Sequence, residues 1–133
     1  MGYQRRVAVP FTTDGAGAAT VYSEFVNGFL HSVFYDYGDA ATGADFTVTE
    51  EDTGKALLTI TNAGTADWTI FPRTGEFPIA NTGAGTAVAG NATTGGLGVV
   101  QEMNSVNGRI KIVVAQGDSG VAKSGILYFT IAR

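Results

Sequence analysis

Val106-Asn107-Gly108-Arg109-Ile110-Lys111-Ile112-Val113-Val114-Ala115-Gln116 is the stretch that decides the class of fold. Ile110, Ile112 and Val114 share one face and Lys111 and Val113 the other, the period of two that marks a β-strand. Asn107-Gly108 stands just ahead of them, and Asn-Gly supplies the positive-φ pair of a tight type I′ turn. The spacing therefore predicts a hairpin joining residues 97–106 to 109–116. A second Asn-Gly, at Asn27-Gly28, predicts another hairpin, joining 18–26 to 29–36.

Strand signals continue outward from these two points. Residues 44–50 set Phe46 and Val48 against Asp45, Thr47 and Thr49, and Glu51-Asp52-Thr53-Gly54 turns the chain into 55–62. There Leu58 and Ile60 share a face with Ala56, and residues 62–67 lead to a further strand over 68–73. Residues 125–133 are apolar on both faces: Ile126, Tyr128 and Thr130 alternate with Leu127, Phe129 and Ile131. Such a strand is central and covered twice, or is covered on one side by another subunit. Glycine or threonine interrupts every window long enough for a helix. With an N-terminal strand near 6–12, the prediction is an all-β fold, a single antiparallel β-sandwich or jelly-roll-like barrel of about eight or nine strands. One domain is expected over residues 1–133, with a short N-terminal arm (1–6) and an uncharged Gly/Ala/Thr-rich loop (76–98).

Composition narrows the function classes. No cysteine is present, which excludes a disulfide framework, a zinc–thiolate site and a thiol nucleophile. The net charge of −4, with Arg5-Arg6 the one adjacent basic pair, argues against nucleic acid as a partner. No apolar run reaches the length of a membrane-spanning helix, and the N-terminus carries no export-signal core, so synthesis in the host cytoplasm is expected. Charged residues are 15% of the chain, against about 25% in ordinary domains, which favours surface covered by protein partners over surface wetted by Thr, Asn and Gly. From Phe77 to Gln101 there is no charged residue at all. Two readings of this segment stand: a docking loop that lies on a neighbouring subunit, or a loop folded back over its own sandwich.

Apparent motifs do not assemble chemistry. Gln116-Gly117-Asp118-Ser119-Gly120 is like the surroundings of a protease serine, but Val121 follows where glycine is needed, and the sole histidine, His31, lies mid-strand. Gly85 to Gly90 has phosphate-loop spacing without the lysine that meets phosphate charge. Asp36, Asp39 and Asp45, and Glu50-Glu51-Asp52, are read as solvated turn acids rather than a calcium loop. Trp68 is read as core, although Trp68, Tyr22 and Tyr37 together leave room for a sugar platform.

Thr42-Gly43-Ala44-Asp45-Phe46-Thr47-Val48-Thr49, Thr53-Gly54-Lys55-Ala56-Leu57-Leu58-Thr59 and Phe71-Pro72-Arg73-Thr74 resemble a family of small tailed-bacteriophage virion and morphogenesis proteins. Gly108 to Gly117, followed by Lys123-Ser124-Gly125, is similar to that family's C-terminal strands. The resemblance implies a virion structural component and carries over no catalytic residue. The expected role is a capsid decoration or cement protein, not an enzyme, with no cofactor or metal. Its expected partners are the major capsid protein or other virion subunits, and copies of itself as a dimer or trimer. The interface is expected to use Tyr3, Arg5 and Arg6 of the arm, and Phe77, Ile79, Val88 and Leu97 of the uncharged segment. A head–tail connector, a tail-associated component and a carbohydrate-binding module are the alternatives.

Overall fold

The computed structural model describes residues 3–76, 100–117 and 120–133. Its elements are β1 (Gln4–Thr12), β2 (Ala19–Asp36), β3 (Asp45–Glu50), β4 (Ala56–Ile60), β5 (Trp68–Ile70), β6 (Thr74–Glu76), β7 (Val100–Glu102), β8 (Asn104–Ala115) and β9 (Ser124–Ala132). The described residues contain no helix. The chain divides into two compact units, 1–72 with 104–133, and 73–103. In the second unit β6 pairs antiparallel with β7. The first unit is an antiparallel sheet in the order β1-β9-β2-β8-β3-β4, with β5 added to β2.

The 18-residue strand β2 organises that sheet. Residues 19–30 pair with β8, and 29–36 pair with β9. Phe29 and Leu30 have partners in both neighbours, so β8 and β9 lie on opposite edges of β2. The sheet then folds over on itself. β1 and β3 stand four strands apart, which in a flat sheet is about 19 Å. Yet the rings of Phe11 on β1 and Phe46 on β3 meet edge-to-face at 5.4 Å. The two layers enclose one core, a β-sandwich of jelly-roll-like form, as the alternation predicted. Leu127, Phe129 and Ile131 face inward, as do Ile110, Ile112 and Val114.

Neither Asn-Gly pair makes a hairpin, which corrects the opening expectation. Both lie inside the long strand pair, with Asn27 opposite Asn107, Gly28 opposite Val106 and Val26 opposite Gly108. The Asn27 Nδ2 group donates to Asn107 Oδ1 across the ladder at 3.2 Å. A local turn preference lost to in-phase burial of Val26, Leu30, Val106 and Ile110 along two uninterrupted strands. Gly28 is there for close approach instead. A Cβ on it would stand 2.5 Å from the Ala132 carbonyl oxygen and 2.7 Å from Ile131 Cγ2. Alanine for glycine in an ordinary strand stabilises by about 0.5–1 kcal/mol. Gly28→Ala is expected to destabilise by about 1–2 kcal/mol instead, as overpacking does. Urea unfolding measures the sign.

Smaller differences follow the same logic. Residues 4–6, expected in an arm, are the start of β1. The Tyr3 carbonyl accepts from the Arg133 N–H and the Thr13 N–H donates to the Lys123 carbonyl, so the odd-numbered residues of β1 bond to β9. Pro10 therefore turns its missing N–H to the outer edge, where no ladder bond is lost. On β4, Leu58 and Ile60 pair with Val48 and Phe46 as their spacing suggested, while a bulge lets Leu57 be buried as well.

Glu50 is buried, against the expectation of a solvated turn acid. It ends β3 and staples the following turn to β8: Thr53 Oγ1 donates to its Oε1 at 2.6 Å, and the Asn107 N–H donates to its Oε2 at 2.7 Å. The Thr53 hydroxyl first, then the Asn107 N–H, hold the carboxyl below its ordinary value against the opposing effect of burial. A depressed folded-state value gives stability that is present above about pH 4.5, the ordinary value, and is lost as pH falls below it. Glu50→Gln is expected to cost about 1–2 kcal/mol at neutral pH. It should also flatten the acid limb of a stability–pH profile, read from thermal melts.

Candidate interaction surface

The outer face of the β1–β9–β2–β5 layer is built by period-two alternation from the strands whose inner faces make the core. Phe25 and Phe29 lie on the outside of β2 and are 60% and 47% exposed, and Phe71, just past β5, is 57% exposed. The His31 ring meets Phe71 edge-on at 5.7 Å, and its Nδ1 lies 3.2 Å from Ser32 Oγ. Next to these, the Phe34 and Tyr128 rings stand 5.9 Å apart, and the Arg6 guanidinium lies 5.6 Å from the centre of the Tyr128 ring. Ile126, Tyr128 and Thr130 are half-buried, so the second apolar face of β9 is incompletely covered within the described chain.

Among the described residues, five aspartates gather at one end of the sandwich, in its loops and at the strand ends beside them, and four serve the backbone. Asp14 accepts from the Ala16 and Ala18 N–H groups, Asp39 from Ser124, Asp45 from Asn62, and Asp67 from Tyr37. Asp14 is held below its ordinary value, chiefly by the Ala18 N–H and then the Ala16 N–H. Asp36 differs. Its carboxylate has no hydrogen bond or ion pair among the described residues, and it borders a groove of about 390 Å³ with Pro10, Thr12, Ile126 and Gly38. Two glycines of its lining let the chain pack closely there. A Cβ on Gly38 would lie 2.2 Å from the Ser124 carbonyl oxygen, and one on Gly125 would lie 2.8 Å from the Phe11 ring.

The expected interface residues fall into two groups. Tyr3 is exposed, and its hydroxyl accepts from Arg133 Nη1 at 3.2 Å. Arg5 pairs with Glu24 at the same end, and Arg6 lies over Tyr128. Phe77, Ile79, Val88 and Leu97 lie outside the described residues, as do Asp118 and Ser119 of the serine-like pentapeptide. Trp68 is half-buried against the core, its indole N–H donating to the Ala63 carbonyl at 3.0 Å and its ring 5.1 Å from Tyr35. Tyr22 is exposed, but Arg109 stacks on it at 4.4 Å while donating from Nε to Glu51 at 2.8 Å. Among the described residues, no three His, Asp or Glu side chains group to hold a metal ion.

Sequence reasoning missed Phe25, Phe29 and Phe71 as surface residues. Reading a turn at Asn27-Gly28 broke the alternation at that point. Once β2 is continuous, its parity puts Val26 and Leu30 inside and Phe25 and Phe29 outside.

No family model matches this sequence, and no curated protein matches it. Among solved structures, the chain is similar to a subunit of Bacillus endospore appendages, described as disulfide-linked pili, with 16% identity and a TM-score of 0.48. That match covers 98% of this chain and 86% of the other. A periplasmic inhibitor of g-type lysozyme from Aeromonas hydrophila matches with 12% identity, 98% and 86% coverage, and a TM-score of 0.39. A chain of the cyanophage Pam1 capsid asymmetric unit matches with 14% identity, 98% and 85% coverage, and a TM-score of 0.40.

Proposed function

We propose that this chain is a bacteriophage virion structural protein that decorates and cements a capsid shell. The observation that supports the reading is the outer sheet face with Phe29 and Phe71 about half exposed, which no part of the described chain covers. A soluble domain keeps such a patch where another protein covers it. Cement interfaces work by area: at roughly 25 cal/mol per Å² of apolar surface, a modest patch repeated over a lattice adds up to a strongly stabilised shell. The likeness of residues 42–49, 53–59, 71–74, 108–117 and 123–125 to small tailed-phage proteins supports the same reading. Adding the purified chain to shells that lack it is the test. Saturable binding at a lattice-wide copy number supports decoration, a single ring of copies supports a head–tail or tail component, and no binding overturns both.

A second reading, a carbohydrate-binding module, is favoured by the exposed Tyr22 and Phe25. Arg109 already occupies one face of Tyr22, which leaves less of the ring for a sugar. Glycan-array binding by the isolated chain would support it.

A further inference from the structure

Among the described residues, Arg6 and Asp36 on the outer face have no ionic partner, and their places on the sheet are related. Successive rungs across β1, β9 and β2 read Arg6–Thr130, then Ala8–Tyr128–Phe34, then Pro10–Ile126–Asp36. Arg6 and Asp36 are therefore four residues apart along the strands, about 13 Å, and two strands apart across them, about 10 Å. Tyr128 stands midway between them. Neither the Arg6 guanidinium nor the Asp36 carboxylate has a hydrogen bond or an ion pair among the described residues. Arg6 rests on the Tyr128 ring, and Asp36 borders the groove beside Pro10 and Ile126.

A two-fold axis that lies in the plane of this face, passes through Tyr128 and runs perpendicular to the line from Arg6 to Asp36 exchanges the two positions. We propose that the face binds a second copy of this chain, forming an isologous dimer. The Tyr128 and Phe34 rings of the two copies stack at the axis, and Arg6 of each copy enters the Asp36 groove of the other. Charge complementarity selects this occupant. An isologous contact requires a surface complementary to itself, and one unpaired cation and one unpaired anion flanking an aromatic centre meet that condition. The stem of Arg6 would lie on Pro10 and Ile126, with its guanidinium on the carboxylate.

Pairing through the outer edge of β1 is the competing way to join two copies, and the strand disfavours it. Antiparallel pairing centred on Arg6 sets Arg6 against its own image, and Pro10 lacks the N–H that a register centred on Ala8 would use. Face-to-face packing avoids both costs. The proposal takes from the decoration reading only that the chain assembles.

Sedimentation equilibrium of the full chain over a range of concentration and salt tests it. The wild type is expected to dimerise, more weakly as salt rises. Arg6→Glu and Asp36→Arg each place two like-charge pairs in the contact, and each should raise the dissociation constant by at least about 100-fold. An equimolar mixture of the two variants should regain the dimer, because both contacts then join opposite charges. Thermal melts of each variant alone show that the fold is kept, since both residues are on the surface. A monomeric wild type, single variants that dimerise like it, or a mixture that stays monomeric overturns the proposal. Shell binding by a chain that remains monomeric would defeat the dimer and leave the decoration reading standing.

Discussion

Phe46→Ala lowers the free energy of unfolding by about 3–5 kcal/mol, the usual cost of truncating a buried phenylalanine. Phe46 is fully buried on β3, and its ring meets Phe11 of β1 at 5.4 Å and Tyr35 of β2 at 5.1 Å, both nearly edge-on. These rings come from strands on the two layers, so their contacts hold the folded-over sheet closed. The lost free energy has two parts: apolar area returned to water, and a cavity that facing strands cannot collapse around. A domain of ordinary stability has about 5–15 kcal/mol in total, so the variant should unfold at a much lower urea concentration with an unchanged slope. A loss below about 1 kcal/mol would mean that the two layers do not meet at Phe46.

Raising the pH through the interval from 10 to about 12 costs the protein stability through Tyr35. Burial first, then the neighbouring Tyr37, Asp67 and Asp39, push the Tyr35 phenol from its ordinary 10.0 up to about 12. The sign follows from proton binding. Between these two values the unfolded chain has released the proton and the folded chain retains it, so stability falls with rising pH. Below pH 10 the group contributes no slope. Two pH units at about 1.4 kcal/mol each set an upper bound of about 3 kcal/mol. Tyr35→Phe removes the slope and keeps the ring contacts with Phe46 and Trp68. It also removes a buried hydroxyl that has no hydrogen-bond partner among the described residues, so stability at neutral pH should hold or rise. Tyrosinate absorbance followed to high pH should show a late step that is missing from the variant. A wild type whose stability is level across this interval would contradict the burial of the phenol.

Assembly through the outer face would tie these local energies to function. Phe11, Tyr35 and Phe46 set how tightly the layers close, and Gly125 lets the Phe11 ring come close to β9. Phe11 is also one of the residues that line the groove beside Asp36. A change that loosens the aromatic core should therefore disturb the groove as well as the stability.

Alternating side chains determined the strand content, because a period of two depends on backbone geometry alone and survives in any tertiary setting. The inward sets Ile110-Ile112-Val114 and Leu127-Phe129-Ile131 were legible for that reason. The missing cysteines and the scarcity of charge were equally plain, since composition does not depend on folding. Only the tertiary structure decided what the Asn-Gly pairs do. A turn preference worth little locally yielded to a ladder that buries Val26, Leu30, Val106 and Ile110 together, and the partner strands are about 80 residues apart in the chain. The same holds for Glu50, Arg6 and Asp36. Whether a charge is buried and paired, or lies alone on an open face, depends on which distant backbone N–H or side chain the fold brings within about 3 Å, and spacing along one chain does not encode that.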